Sequence, residues 1–276
     1  MPYVQAGAVR LHYIEHGSGP EPLLFIHGFT SSTNAWSETL PRLPERYHAY
    51  ALDLRGAGES DKPESGYGPQ IYVEEIHLAT QALGIDTFTY IGHSMGGVTG
   101  MAFALRHPER LRKLVLVAPA PSGGITIDPA IAAQVRSMRT NREVRRGWAK
   151  ALMVRPLRDE LIEVGIDDDL KWSEAAYDEA GRAMAELRIS QELAQIATPT
   201  LIVAGDRDFL RAANLEDAQR IPNCALHVFY RVGHNIPFDV PEEFVALLDD
   251  FIQYGAAPPS PFQRPVVTAA QPAPTA

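Results

Sequence analysis

Ser94, Asp208 and His234 are the residues of this chain whose types and order can build an activated nucleophile. A serine hydroxyl attacks an ester at neutral pH only if an imidazole takes its proton, and that imidazole needs a carboxylate to fix its tautomer. Ser94 lies in Gly92-His93-Ser94-Met95-Gly96-Gly97, after the apolar run Phe88-Thr89-Tyr90-Ile91 and before Val98 to Arg106, which has helical composition. A strand, a sharp turn and a helix around Gly-x-Ser-x-Gly form a nucleophile elbow, in which crowding leaves no room for side chains at 92 and 96 and pushes the hydroxyl above the sheet. Asp208 ends Gly205-Asp206-Arg207-Asp208, after the run Thr198 to Ala204; His234 lies in Gly233-His234-Asn235, after the run Ala225 to Phe229. Each of the three follows a strand run, so all can meet at one sheet edge. The turn at 205–208 offers two carboxylates, Asp206 and Asp208, where the chemistry needs one.

The elements that must position these groups alternate along the chain. Tyr3 to Gln5 and Val9 to Ile14 read as an antiparallel hairpin at a sheet edge. Leu23-Leu24-Phe25-Ile26 is a strand buried on both faces, and His27-Gly28-Phe29-Thr30 leaves its carboxyl end as a candidate oxyanion loop, with the Phe29 backbone N–H as donor. His27 reads as a brace of that loop rather than a titrating group. Trp36 to Leu43 has the spacing of a helix stopped by Pro44; Ala49 to Leu52 is a strand, and Asp53 to Ser60 a glycine-rich crossover whose Asp53 and Arg55 read as structural. A helix over Ile71 to Leu83, the elbow, a strand at Leu114 to Val117 and a closing helix over Pro241 to Tyr254 complete an α/β pattern, a mostly parallel doubly wound sheet.

Between Ile125 and Ile196 the rhythm breaks, because helical patterns succeed one another without a strand. Ile131, Val135 and Met138 share one face, Val144, Trp148 and Ala151 another, and Tyr177, Ala180, Met184 and Leu187 a third. The division expected is a core at 1–124 and 197–254, a helical insertion at 125–196 and a Pro/Ala-rich tail at 255–276 expected to be disordered. Met138, Trp148, Met153 and Trp172 are candidates to line a substrate pocket, against the plainer reading that they pack. Arg136, Arg139, Arg142 and Arg146 form a basic stripe that reads as a solvated helix face.

Composition narrows the classes further. The chain has 276 residues, 45% of them hydrophobic and 21% charged, enough for one substantial core. A net charge of −9 disfavours nucleic acid as a partner. The single cysteine, Cys224, permits no internal disulfide and no Cys-x-x-Cys site, which fits a reducing compartment. No histidine pair has His-Glu-x-x-His spacing and no metal is implied. The start carries no basic-then-apolar leader and no apolar run is long enough to span a bilayer, so the expectation is a cytoplasmic protein without a membrane partner, monomeric or homodimeric.

These motifs together resemble the α/β-hydrolase fold, the large family of serine esterases and related hydrolases, from about Tyr3 to Tyr254: His27-Gly28, Asp53-Leu54-Arg55-Gly56-x-Gly58-x-Ser60, the elbow, Gly205 to Asp208 and Gly233-His234. The resemblance implies a helical cap between the sixth and seventh strands, an oxyanion hole from the backbone N–H groups of Phe29 and Met95, and no cofactor. In the family the turn after the seventh strand commonly runs glycine, two variable residues, aspartate, which selects Asp208 over Asp206. Serine at the elbow separates the chain from similar dehalogenases and epoxide hydrolases, which use aspartate there. The implied activity is hydrolysis of a small-molecule carboxylic ester or lactone through an acyl-serine. Two alternatives stand beside it: hydrolysis of a carbon–carbon bond in a diketone by the same triad, and a non-catalytic member that keeps the pocket for binding.

Overall fold

A computed structural model describes residues 2–126, 133, 136–138, 141–152, 154–155 and 158–255. Its strands are β1 (Tyr3–Ala6), β2 (Val9–Gly17), β3 (Glu21–Ile26), β4 (Tyr47–Leu52), β5 (Phe88–His93), β6 (Leu111–Val117), β7 (Thr200–Gly205) and β8 (Cys224–Phe229). They form one eight-stranded sheet in the order β1-β2-β4-β3-β5-β6-β7-β8. β1 and β2 pair antiparallel, as do β2 and β4, and every later pairing is parallel. The edge hairpin expected at the start of the chain is therefore present, and from β3 onward the strands point their carboxyl ends the same way.

The central strands are apolar on both faces because both are covered. Leu24, Ile26, Tyr90, Leu114, Leu116 and Ile202 pack into one core with α1 (Pro69–Ala82) and α2 (Met95–Arg106), through Tyr72, Ile76, Val98, Met101 and Phe103. Their alternate neighbours Leu23, Phe25, Ile91, Val115, Leu201 and Val203 pack on the other side against Trp36 and against Phe244, Leu248 and Phe251 of the closing helix Pro241–Tyr254. Strand alternation sorts one run of residues into two cores, the physical basis of a doubly wound sheet.

Between β6 and β7 the chain inserts helices: α3 (Arg142–Leu152), α4 (Asp159–Lys171) and α5 (Glu174–Glu186). After β7 come α6 (Arg211–Arg220), and after β8 the short α7 (Ile236–Asp239) and the closing helix, α8 (Pro241–Tyr254). The positions Val144, Trp148 and Ala151 fall on α3, and Tyr177, Ala180 and Met184 on α5, with Leu187 just past its end. Ile131, Val135, Arg139, Met153 and the tail beyond Gly255 lie outside the described residues. No helix among the described residues is long and apolar enough to cross a membrane.

Two elements differ from the sequence expectation. Trp36 to Leu43 is not a helix but two short 3₁₀ turns, Thr33–Trp36 and Leu40–Arg42. Pro41 is the reason, since within an α-helix its ring would strike the carbonyl four residues earlier and its missing N–H would leave that carbonyl unpaired. Helix α4 had no counterpart in the periodicity reading, because Gly165 and the run Asp167-Asp168-Asp169 weaken its helical signal. Tertiary contacts supply what propensity lacks. Ile162 and Ile166 are buried, and Asp168 accepts hydrogen bonds from Ser32 Oγ at 2.7 Å and Asn34 Nδ2 at 3.0 Å.

Candidate active site

Ser94 occupies the turn between β5 and α2 with φ 52° and ψ −112°, a left-handed conformation that costs free energy for any residue with a Cβ. The structure shows what holds it there. The Ser94 N–H donates to Val117 O at 2.9 Å, and its carbonyl accepts from Gly97, Val98 and Ala120 at 2.9, 3.1 and 2.9 Å. A Cβ on Gly92 would collide with the backbone of Gly96, and one on Gly96 with the carbonyls of Ile26 and His27, so the glycines of the motif have the steric cause the sequence suggested. Its neighbours in the motif are buried, while Ser94 itself keeps partial exposure.

The loop after β3 comes up beside the serine. A Cβ on Gly28 would lie 3.1 Å from Ser94 Cβ, so glycine lets the backbone approach. His27 braces the loop: Leu54 N–H donates to its Nε2 at 3.0 Å, leaving Nδ1–H to donate to Gly28 O at 2.7 Å. Complete burial lowers its pKa and keeps it neutral, in keeping with the bracing role. Beneath it, Asp53 accepts from the backbone of Thr33 and Glu59 at 2.6 and 3.0 Å and lies 2.7 Å from His12 Nδ1. Burial alone would raise the Asp53 pKa, but these hydrogen-bond partners outweigh it and hold it at about 2. Arg55 meets Glu75 at 2.6 Å, so the Asp-Arg pair of the crossover holds structure together.

His234 is reached through a second close approach. A Cβ on Gly205 would strike the carbonyls of Val232 and Gly233, and only glycine lets the loops after β7 and β8 run side by side. Across that seam Val232 N–H donates to Asp206 Oδ1 at 3.2 Å, and within the loop after β8 Gly233 N–H donates to Asp239 Oδ2 at 2.9 Å. Both oxygens of Asp208 lie 3.1 Å from His234 Nδ1, and Leu210 N–H donates to Asp208 Oδ1 at 3.0 Å. The carboxylate facing the histidine is thus Asp208, and Asp206 secures the loop. With Nδ1 turned to Asp208, Nε2 of His234 is the nitrogen left for a reacting group.

The sequence left His93 without a role. Its ring is buried, and burial first, then the neighbouring His234, pushes its pKa down to about 3. A neutral ring 3.0 Å from the His234 carbonyl donates through Nε2–H, so His93 ties the elbow to the histidine loop.

Ser94, His93 and His234 line one cavity of about 160 Å³ together with Gly28, Phe29 and Thr30. The inserted helices close its other side with Arg145, Ala149, Leu161, Ile162, Gly165 and Ile166. Met95 opens α2, and the first amide of a helix has no acceptor within the helix. The pocket candidates named from the sequence fall elsewhere. Trp172 is buried beneath the loop, its ring 5.2 Å from that of Phe29 and its Nε1–H donating to Ser31 O at 2.8 Å, because a buried indole needs an acceptor. Met138 is buried, and neither it nor Trp148 is among the described residues that line the cavity. Met153 is outside the described residues. Arg136 pairs with Asp178, and Arg142 and Arg146 with Glu163, as a solvated face would. Among the described residues no group of three or more His, Cys, Asp or Glu is placed to hold a metal ion.

Comparison with known proteins agrees with this architecture. The family described as alpha/beta hydrolase fold matches residues 21–148. An uncharacterised protein of Mycobacterium tuberculosis is 30% identical over 271 residues, covering 86% of this chain and 76% of its own length. Among solved structures, Est816, described as an N-acyl homoserine lactone degrading enzyme, superposes with a TM-score of 0.78 at 27% identity, covering 91% of this chain and 100% of that one. A meta-cleavage product hydrolase from Pseudomonas fluorescens IP01 does so with a TM-score of 0.82 at 25% identity, covering 92% and 97%. With an eight-stranded, mostly parallel sheet, a helical insertion after the sixth strand and these relatives, the chain belongs to the alpha/beta hydrolase fold family.

Proposed function

We propose that the protein hydrolyses a carboxylic ester or lactone through an acyl-serine intermediate. The observation that carries the reading is that Ser94 and His234 line one cavity while Asp208 sits 3.1 Å from the far nitrogen of His234. His234 Nε2 takes the hydroxyl proton as Ser94 Oγ attacks the carbonyl carbon, and the oxyanion is received by the Phe29 and Met95 amides. The imidazolium returns the proton to the leaving oxygen; water, activated by the same histidine, then releases the acid and restores the serine. The segment 125–196 acts as a cap that walls the cavity and excludes water. The lactone-degrading enzyme among the structural relatives supports the choice of substrate class. Carbon–carbon cleavage of a diketone is the second reading, favoured by the meta-cleavage product hydrolase of the same fold.

Ser94→Ala is the direct test. With p-nitrophenyl butyrate as substrate, the folded variant should lose on the order of 10⁴ to 10⁶ in rate. A fluorophosphonate should add one phosphonyl mass to the wild type and none to the variant. Near-normal turnover by folded Ser94→Ala protein would end the serine-hydrolase reading. Turnover of the ester by the wild type separates a catalyst from a non-catalytic binder, and a matched diketone cleaved faster than the ester would favour the second reading.

A further inference from the structure

Arg145 alone carries a fixed charge among the described residues that line the cavity. It enters from α3 next to Ala149, one helical turn on, into a wall otherwise formed by Leu161, Ile162, Gly165 and Ile166. A guanidinium presents five N–H donors in a flat fork, and in this setting the fork is thinly used. Its Nε lies 3.3 Å from Asp169 Oδ2 and makes no hydrogen bond, and Nη2 reaches Thr30 Oγ1 only at 3.4 Å. Arg142, three residues earlier on the outer side of the helix, shows the contrast with two bonds of 2.7 Å to Asp167 and Glu163. The exposed arginine is the well-paired one: the Arg142 side chain is 45% exposed and that of Arg145 only 18%.

That inversion needs a cause. A cation withdrawn from water toward an apolar wall loses hydration, and only charge-assisted hydrogen bonds restore the loss. Asp169, itself buried, balances the charge from the Nε side, while the bonds that would saturate the fork are long or unmade. A planar acceptor inside the cavity would complete it, and a carboxylate matches the fork in charge and geometry. Thr30, the hydroxyl that Arg145 meets, is one residue beyond Phe29. A group held by Arg145 is therefore fixed beside the oxyanion loop and within the cavity that Ser94 lines.

We infer that Arg145 binds a carboxylate carried by the substrate, so that the protein favours anionic esters or lactones over neutral ones of equal size. The inference rests on the serine-hydrolase reading for its kinetic test but not for its binding test. Two substrate series locate the charge. Mono-p-nitrophenyl glutarate and its methyl ester place it on the acyl side; 4-acetoxybenzoate and its methyl ester place it on the leaving group. The wild type should prefer the anionic member in one series, and Arg145→Met should lower the anionic-to-neutral ratio of kcat/KM by about ten- to a hundred-fold. Arg145→Lys should recover part of it, since charge remains but the fork does not. Titration calorimetry of glutarate into Ser94→Ala protein should show binding, lost when Arg145→Met is added. A ratio that Arg145→Met leaves unchanged in both series, or glutarate binding that survives it, overturns the inference. Neutral-ester turnover that depends on Ser94 would then still uphold the hydrolase reading. Absence of both ester turnover and phosphonate labelling would sink that reading, and the calorimetry would still decide the role of Arg145.

Discussion

At the scale of single residues, the two carboxylates of the β7 turn have separate tasks. Asp208 holds His234 Nδ1 with both oxygens, and Asp206 accepts one backbone N–H from Val232. In Asp208→Asn the amide presents a donor to Nδ1, which favours the wrong tautomer, and turnover of p-nitrophenyl butyrate should fall by up to about 10⁴ in a protein that still folds. Asp206→Asn keeps an oxygen for the Val232 N–H and should be mild by comparison. The check is kcat at saturating substrate for both variants, with folding followed by circular dichroism; a larger loss in Asp206→Asn would reverse the assignment.

The inserted helices set the scale above. The cavity is bounded on that side by α4 through Leu161, Ile162 and Ile166, side chains four or five apart that a helix brings to one face. If these helices determine which acyl groups fit, Ile162→Ala should move the preference across a p-nitrophenyl ester series toward longer chains. The change per methylene should be about ten-fold or more in relative kcat/KM. The same substitution removes a buried side chain and should lower stability by about 2–4 kcal/mol, measurable by denaturant unfolding. Trp148→Ala, at a residue that does not line the cavity, should leave the series order as it is. An unchanged profile in Ile162→Ala would mean that the insertion does not set chain length.

Across the whole molecule, the loops that carry the site rest on buried polar anchors within the two-sided core. Asp53 is the clearest, joining β2 through His12 to the 3₁₀ turn at Thr33 and to the crossover at Glu59. Its pKa is depressed to about 2 from an ordinary value of 3.8. The native state therefore binds this proton less tightly than the unfolded chain, and the stabilisation is complete above pH about 4 and lost as pH falls through about 2. The contribution is about 2 kcal/mol, so melting temperature followed by circular dichroism should drop across that window in the wild type. Asp53→Asn should melt lower at neutral pH and show a shallower acid limb. An equal acid limb in both proteins would assign the loss to other carboxylates.

The sequence by itself determined the strands, the elbow and the chain order of Ser94, Asp208 and His234, because these depend on local rules. A β-branched or aromatic run between turn residues has few alternatives to a strand, and the sharp turn at Ser94 by itself demands glycine at 92, where a Cβ would strike the backbone of Gly96. Tertiary structure decided what faces what. Asp206 and Asp208 are equivalent in composition; the resemblance favours Asp208, and the approach of the loops across Gly205 and Gly233 is what turns it to the histidine and Asp206 to Val232. Helical periodicity marked α3 without telling which of its sides meets the sheet edge, so Trp148 was named where Arg145 stands. Helix α4 was hidden for a related reason: its aspartates weaken the local signal, and hydrogen bonds to Asp168 from Ser32 and Asn34, far away in sequence, restore the balance. Backbone conformation is largely a local matter, whereas the direction of a side chain relative to a cavity is set by partners that the fold assembles from distant segments.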